Sequence, residues 1–120
     1  MASPVPALCE AIDVPIASGQ SLSAAINLGG RIPCGFFIPA AWTAAGLTFQ
    51  GSPDGVTFVD VWDATAEVTV AAVVSRYVSA DPLKFYGLNY IKVRSGTGAS
   101  AVSQAGARVV TIMAADPSLL

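Results

Sequence analysis

Histidine is absent from the 120 residues. Without an imidazole the chain cannot assemble a Ser-His-Asp or Cys-His system, and proton transfer near neutral pH would fall to a strongly perturbed carboxylate or lysine. Charge is scarce as well. Asp, Glu, Lys and Arg make up 12% of the residues, about half the usual share. Six Lys and Arg against eight Asp and Glu leave a net charge of −2, so the basic footprint of a nucleic-acid binder is missing. Two cysteines, Cys9 and Cys34, cannot supply the four ligands of a zinc site without imidazoles, and they read as thiols behaving as small hydrophobes rather than as a disulfide. Gly, Pro, Ser, Thr or a charge interrupts every apolar run before 18 residues, too short for a membrane span. The opening Met1-Ala2-Ser3-Pro4-Val5-Pro6 lacks the positive charge and uninterrupted apolar core of a secretory signal, which points to synthesis and assembly in a cytoplasm. No internal repeat and no long segment of 3.6-residue period occurs.

What remains is apolar and rich in turn residues: 53% hydrophobic, with 11 Gly and 8 Pro. Chain length fits one domain, and size scaling gives a folded surface near ~6,000 Å², enough burial for a core without staples. Pro4 and Pro6 restrict the first residues, and 1–14 read as an extended arm. Leu22, Ala24, Ile26 and Leu28 alternate with polar or small residues, marking a half-buried strand over 21–28. Residues 32–38 read as a further strand, which Pro33 and Gly35 place at an edge or on a bulge. The segment 39–46, bounded by Pro39 and Gly46, is a corner.

Ser52-Pro53-Asp54-Gly55 separates β-rich segments at 47–50 and 56–62 and is the strongest hairpin signal in the chain. Val68, Val70, Val73 and Val74 favour a strand over 67–74. Asp81-Pro82 starts a turn that Gly87 ends. Clean alternation follows, with Tyr90, Lys92 and Arg94 opposing Ile91 and Val93, and later Val109, Thr111 and Met113 opposing Val110 and Ile112. Seven to eight short strands with turns between them predict an all-β fold, an antiparallel β-sandwich or jelly roll. The predicted organisation is an arm over 1–14, a sandwich domain over 15–115 and a tail over 116–120.

Constellations that could carry chemistry are few. Asp60, Asp63 and Glu67 are the only acidic concentration, and they read as caps and solvated groups of the turn after Trp62. A calcium site from Asp54, Asp60 and Asp63 is chemically permissible, but the spacing matches no known loop. Gly96-Thr97-Gly98 follows a strand with no helix opening after it, so it reads as a hairpin loop rather than a phosphate cradle. Arg76 and Arg94 are placed to pair with Asp60, Asp63 or Asp81 across strands. No catalytic, cofactor-binding or metal-ligating set is assigned. Trp62, Tyr77, Tyr86 and Tyr90 are the residues from which a sugar-stacking surface would be built.

The wording of the middle of the chain resembles a known group. Leu47-Thr48-Phe49-Gln50, then Ser52-x-Asp54-Gly55-x-Thr57-Phe58-x-Asp60-Val61-Trp62-Asp63, and later Leu88-x-Tyr90-Ile91-Lys92-Val93-Arg94-Ser95-Gly96-Thr97 resemble small structural proteins of tailed-phage and prophage head gene clusters. The likeness extends weakly from Ile16, through Gly19-Gln20-Ser21-Leu22-Ser23 and Pro39-Ala40-Ala41-Trp42-Thr43, to Thr111. It implies a non-enzymatic virion component, a head decoration or cement protein on the outside of the major capsid protein shell, assembled in the host cytoplasm. Strands around a Ser-x-Asp-Gly turn and a Tyr-Ile-x-Val strand are also similar to discoidin-type jelly rolls, which implies architecture more than ligand.

For a cement protein the expected contacts come from the arm, with Pro4, Pro6, Leu8 and Ile12, and from the apolar stretch with Phe36, Phe37 and Trp42. Self-association into a dimer or trimer is expected, because a sandwich with uncharged edges and faces tends to cover them with copies of itself. The competing reading is a carbohydrate-binding jelly-roll module of a head fibre or tail, using the four aromatics named above.

Overall fold

A computed structural model describes residues 9–119 of the chain. Eight strands succeed one another among them: β1 (Cys9–Ile16), β2 (Ile26–Asn27), β3 (Ile32–Phe37), β4 (Leu47–Ser52), β5 (Val59–Asp60), β6 (Tyr77–Ser79), β7 (Tyr90–Ser95) and β8 (Arg108–Ala115). They form two four-stranded sheets, ordered β1-β8-β3-β6 and β2-β7-β4-β5, with every pairing antiparallel. This is the β-sandwich that the spacing of strands and turns predicts. Its accessible surface, 6331 Å², agrees with the scaling value for a chain of this mass. Among the described residues no helix is long and apolar enough to cross a membrane.

The core follows from alternation. Val14 and Ile16 on β1, Val110, Ile112 and Ala114 on β8, and Phe36 on β3 face inward from the first sheet, and Leu47, Phe49, Ile91 and Val93 from the second. Phe36 and Phe49 stack across the sheets with ring centroids 5.2 Å apart, and Phe85, on a short 3-10 turn (Pro82–Phe85), meets Phe49 edge-on at 5.1 Å. Burying each such ring contributes about 1.5–3 kcal/mol, and each aromatic pair about 0.5–1.5 kcal/mol more.

Several expectations change. Residues 9–14 are not a free arm: β1 pairs with β8 without a break from Cys9↔Ala115 to Ile16↔Arg108. Pro15 does not prevent this, because β1 is an edge strand and an edge tolerates a missing donor. Ile12, expected on the arm, is therefore a half-buried strand residue opposite Ile112. Pro4, Pro6 and Leu8 lie outside the described residues. β3 carries the expected bulge, between Pro33 and Gly35, but sits inside its sheet between β8 and β6 rather than at an edge.

The strand over 21–28 contracts to β2 and a single bridge, Leu22↔Arg94. Ser23 interrupts it, since its Oγ accepts the Val93 N–H that a ladder carbonyl would otherwise take. The strand over 67–74 is likewise reduced to bridges, Trp62↔Glu67 and Leu47↔Val70. Val68 and Val70 point into the core, whereas Val73 and Val74 are exposed, so the alternation ends at Ala71-Ala72.

Candidate functional site

The hairpin expected at Ser52-Pro53-Asp54-Gly55 forms between β4 and β5, with Gln50 opposite Asp60. Asp54 Oδ1 accepts from the Val56 and Thr57 N–H groups, and Ser52 Oγ accepts from the Gly55 N–H. Those main-chain donors, followed by the Ser52 hydroxyl, hold the Asp54 carboxyl below its ordinary range. Asp54 is thus a turn residue rather than a cation ligand. Gly55 takes φ +79°, a conformation that favours glycine.

Asp60 and Glu67, remote in sequence, converge on Arg94. The guanidinium donates to Asp60 Oδ1 at 2.9 Å, to Glu67 Oε2 at 2.7 Å and, through Nε, to Thr48 Oγ1 at 2.9 Å. Thr48 in turn donates to the Gly96 carbonyl, and Glu67 accepts the Gly98 N–H. Arg94 is only 7% exposed. Cross-strand pairing of Arg94 with Asp60 is the contact that the sequence suggests; the second acid, Glu67, and the burial are not. Every arm of the guanidinium has a partner, so this cluster is a strut joining β4, β5 and β7 to the loops at 62–67 and 96–101, and its cation has no donor left for a substrate.

Asp63 goes elsewhere. It binds Lys84 Nζ at 2.8 Å and accepts from the Thr65 and Ala66 N–H groups. The Lys84 ammonium first, then those main-chain donors, hold the Asp63 carboxyl well below the usual carboxylate range, and Asp63 pushes Lys84 upward in return. No group of three or more His, Cys, Asp or Glu side chains that could hold a metal ion occurs among the described residues. The Asp63–Lys84 pair borders a groove of about 470 Å³ on the open side of the sandwich, lined also by residues 68–71, 78–81 and Phe85.

The outward face of the first sheet has a different character. Strand register places Ala11, Asp13 and Pro15 of β1 beside Met113, Thr111 and Val109 of β8, and Thr111 beside Phe37 of β3, which pairs with Tyr77 of β6. Phe37, Tyr77 and Val109 are 47%, 46% and 47% exposed. The Phe37 and Tyr77 rings lie 4.7 Å apart, and Tyr77 extends across Gly35, where any side chain would collide with the phenol. Asp13 is the one acidic residue of this face among those paired positions, and its carboxylate accepts the Thr111 hydroxyl. Burial, then the neighbouring Cys34 thiol, pushes the Tyr77 phenol upward. Cys9 and Cys34 are free thiols. β8 separates their strands, about 10 Å at two strand spacings, beyond the reach of a disulfide.

Of the residues expected to meet a partner, the structure leaves Phe37 on this face and removes two others. Phe36 is fully buried against Phe49, and Trp42 is buried with its indole N–H donating to the Ala45 carbonyl. The four aromatics of the sugar-binding reading do not share one platform: Tyr77 faces out from the first sheet, while Tyr90 belongs to the second, close beside Gly55. Gln104 went unread in the sequence. It is fully buried, bridging the Thr43 main chain and Ser95 Oγ, and no periodic signal announces it because it lies outside any strand.

The chain matches no known protein-family model, and no curated protein shows significant similarity to it.

Proposed function

We propose that the protein is a non-enzymatic structural subunit that attaches to the outside of a larger protein shell, as a phage head decoration or cement protein does. The observation that carries this reading is the apolar outward face of the first sheet, where Phe37, Tyr77 and Val109 stand half exposed around a single engaged carboxylate. Large exposed aromatics clustered on one face are a usual mark of an interaction surface. Support comes also from the resemblance of residues 47–63 and 88–97 to head-cluster proteins. The partner is then the major capsid protein.

Attachment of this kind works by linkage. A subunit that binds the assembled shell better than its loose components stabilises the shell, by about 2.7 kcal/mol per site at a free concentration of 100 Kd. Area and complementarity do this, with about 800 Å² per partner for a stable contact. The test is co-sedimentation of the purified protein with capsid shells. Saturable occupancy at a fixed ratio to the capsid protein supports the reading; absence of binding to shells and to mature particles overturns it.

A further inference from the structure

Both sheets end in a free margin on the side of the sandwich where the groove lies. In the first sheet that margin is β6. The Ile38 N–H donates to the Arg76 carbonyl at 2.8 Å and the Ala80 N–H to the Cys34 carbonyl at 3.0 Å. Antiparallel alternation then turns the main-chain groups of residues 76, 78 and 80 toward β3, and those of Tyr77 and Ser79 away from the sheet. In the second sheet Val70 exchanges both main-chain bonds with Leu47, and the Val68 N–H donates to the Val61 carbonyl, so Thr69 and Ala71 turn theirs outward. Ser79, Thr69 and Ala71 all line the groove, and among the described residues none hydrogen-bonds their main-chain N–H or C=O groups across it. An exposed edge of this kind is a template for another strand.

We propose that this groove receives an extended strand added to the free edge of β6, and that the strand is residues 3–7 of a second copy of the chain. Three observations select that occupant. Pro4 and Pro6 are two residues apart, so in an extended strand their missing N–H groups fall on the same edge, while Ser3, Val5 and Ala7 present three donors on the other. Such a segment pairs on one side only, and its proline edge blocks a further strand.

The segment is also uncharged. The groove offers an incoming strand no unpartnered carboxylate: Asp63 is bound by Lys84, Glu67 by Arg94, and Asp81 accepts the Leu83 N–H. Finally, the same chain cannot supply the strand in this register. Ala7 is two residues from Cys9, a reach of about 7 Å, whereas β6 lies three strand spacings from β1, about 14 Å. Donation between copies gives the chain a route to self-association that is separate from the shell-facing sheet surface.

The experiment compares the full chain with a variant lacking residues 1–8 by sedimentation velocity, and titrates a labelled peptide of residues 1–8 into that variant. The expected result is a full chain that associates as concentration rises to about 100 µM and a deletion variant that stays monomeric with unchanged circular dichroism. The peptide binds the deletion variant saturably, and its Val5→Asp form binds at least about tenfold more weakly. A monomeric full chain overturns the proposal, whether or not the deletion variant takes the peptide. Equal association with and without residues 1–8, or equal binding of both peptides, overturns it too. None of these readouts involves capsid shells, so this inference and shell attachment can fail separately.

Discussion

Replacing Arg94 by alanine is the perturbation that most sharply separates a structural strut from a solvated surface pair. Arg94 is 7% exposed, and the side chains of Glu67 and Asp60 are 15% and 38% exposed. Removing the guanidinium strands the Glu67 carboxylate with the Gly98 N–H as its remaining donor among the described residues, and it leaves the Thr48 hydroxyl without the Nε donor. Breaking a buried pair in this way costs about 3–5 kcal/mol; the Asp60 arm, more than a third exposed, adds only about 0–1 kcal/mol.

A loss of about 3–6 kcal/mol is therefore expected, or about 12–24 °C in Tm at ~4 °C per kcal/mol for a chain of this size. Urea unfolding followed by tryptophan fluorescence reads it directly, because Trp42 is buried in the core and reports global unfolding. The control is the double variant Arg94→Met with Glu67→Leu, which removes both charges and fills the space. It should recover to within about 1 kcal/mol of the native chain, since replacing a whole buried pair by apolar groups is often close to neutral. An Arg94→Ala variant that loses less than about 1 kcal/mol refutes the strut, as does a double variant less stable than the single one.

Three further outcomes are expected. Phe36→Ala should destabilise by about 3–5 kcal/mol and Phe37→Ser, which loses half-buried ring area and the Tyr77 contact, by about 1–2 kcal/mol, although the two residues are adjacent; chemical denaturation of both variants checks it, and similar losses would show that the bulge at Cys34 does not set the phase of β3. The Asp63 carboxyl, depressed by Lys84, contributes stability that is complete above the ordinary carboxylate range and lost as pH falls through its lower folded value. Lys84, raised, contributes below the ordinary lysine range and loses this as pH rises through its folded value. A carboxyl NMR titration should accordingly show Asp63 protonating below the ordinary carboxylate range, with Lys84→Met moving it back up. Under mild oxidation, intact-mass analysis of the monomer should find no Cys9–Cys34 bond, and finding one at native far-UV circular dichroism would contradict the strand order.

How much the sequence disclosed depends on how local the cause was. The hairpin at 52–55 was legible because Asp54 and Gly55 act within three residues of themselves, and β7 and β8 because Ile91, Val93, Val110 and Ile112 keep a period of two. β1 was hidden: Ile12, Val14 and Ile16 alternate correctly, but Pro15 and the prolines before it gave the stretch the look of an arm. The division of Phe36 from Phe37 depends on an extra residue at Cys34, which no composition rule locates. Arg94 shares its alternation with Tyr90 and Lys92, so nothing local marked it for burial; acids about thirty residues away did. The site residues were the least legible part for the same reason, since the outward face of the first sheet joins β1, β8, β3 and β6 only once the chain is folded.

The most direct measurement is the occupancy of capsid shells by the double variant Phe37→Glu with Tyr77→Glu, compared with the native chain at matched concentration and with its fold verified by circular dichroism. Two carboxylates brought into an apolar contact should reduce occupancy by at least about a hundredfold in apparent Kd. Unchanged occupancy by a folded variant would mean that this face does not hold the partner, and the account would be wrong at its centre.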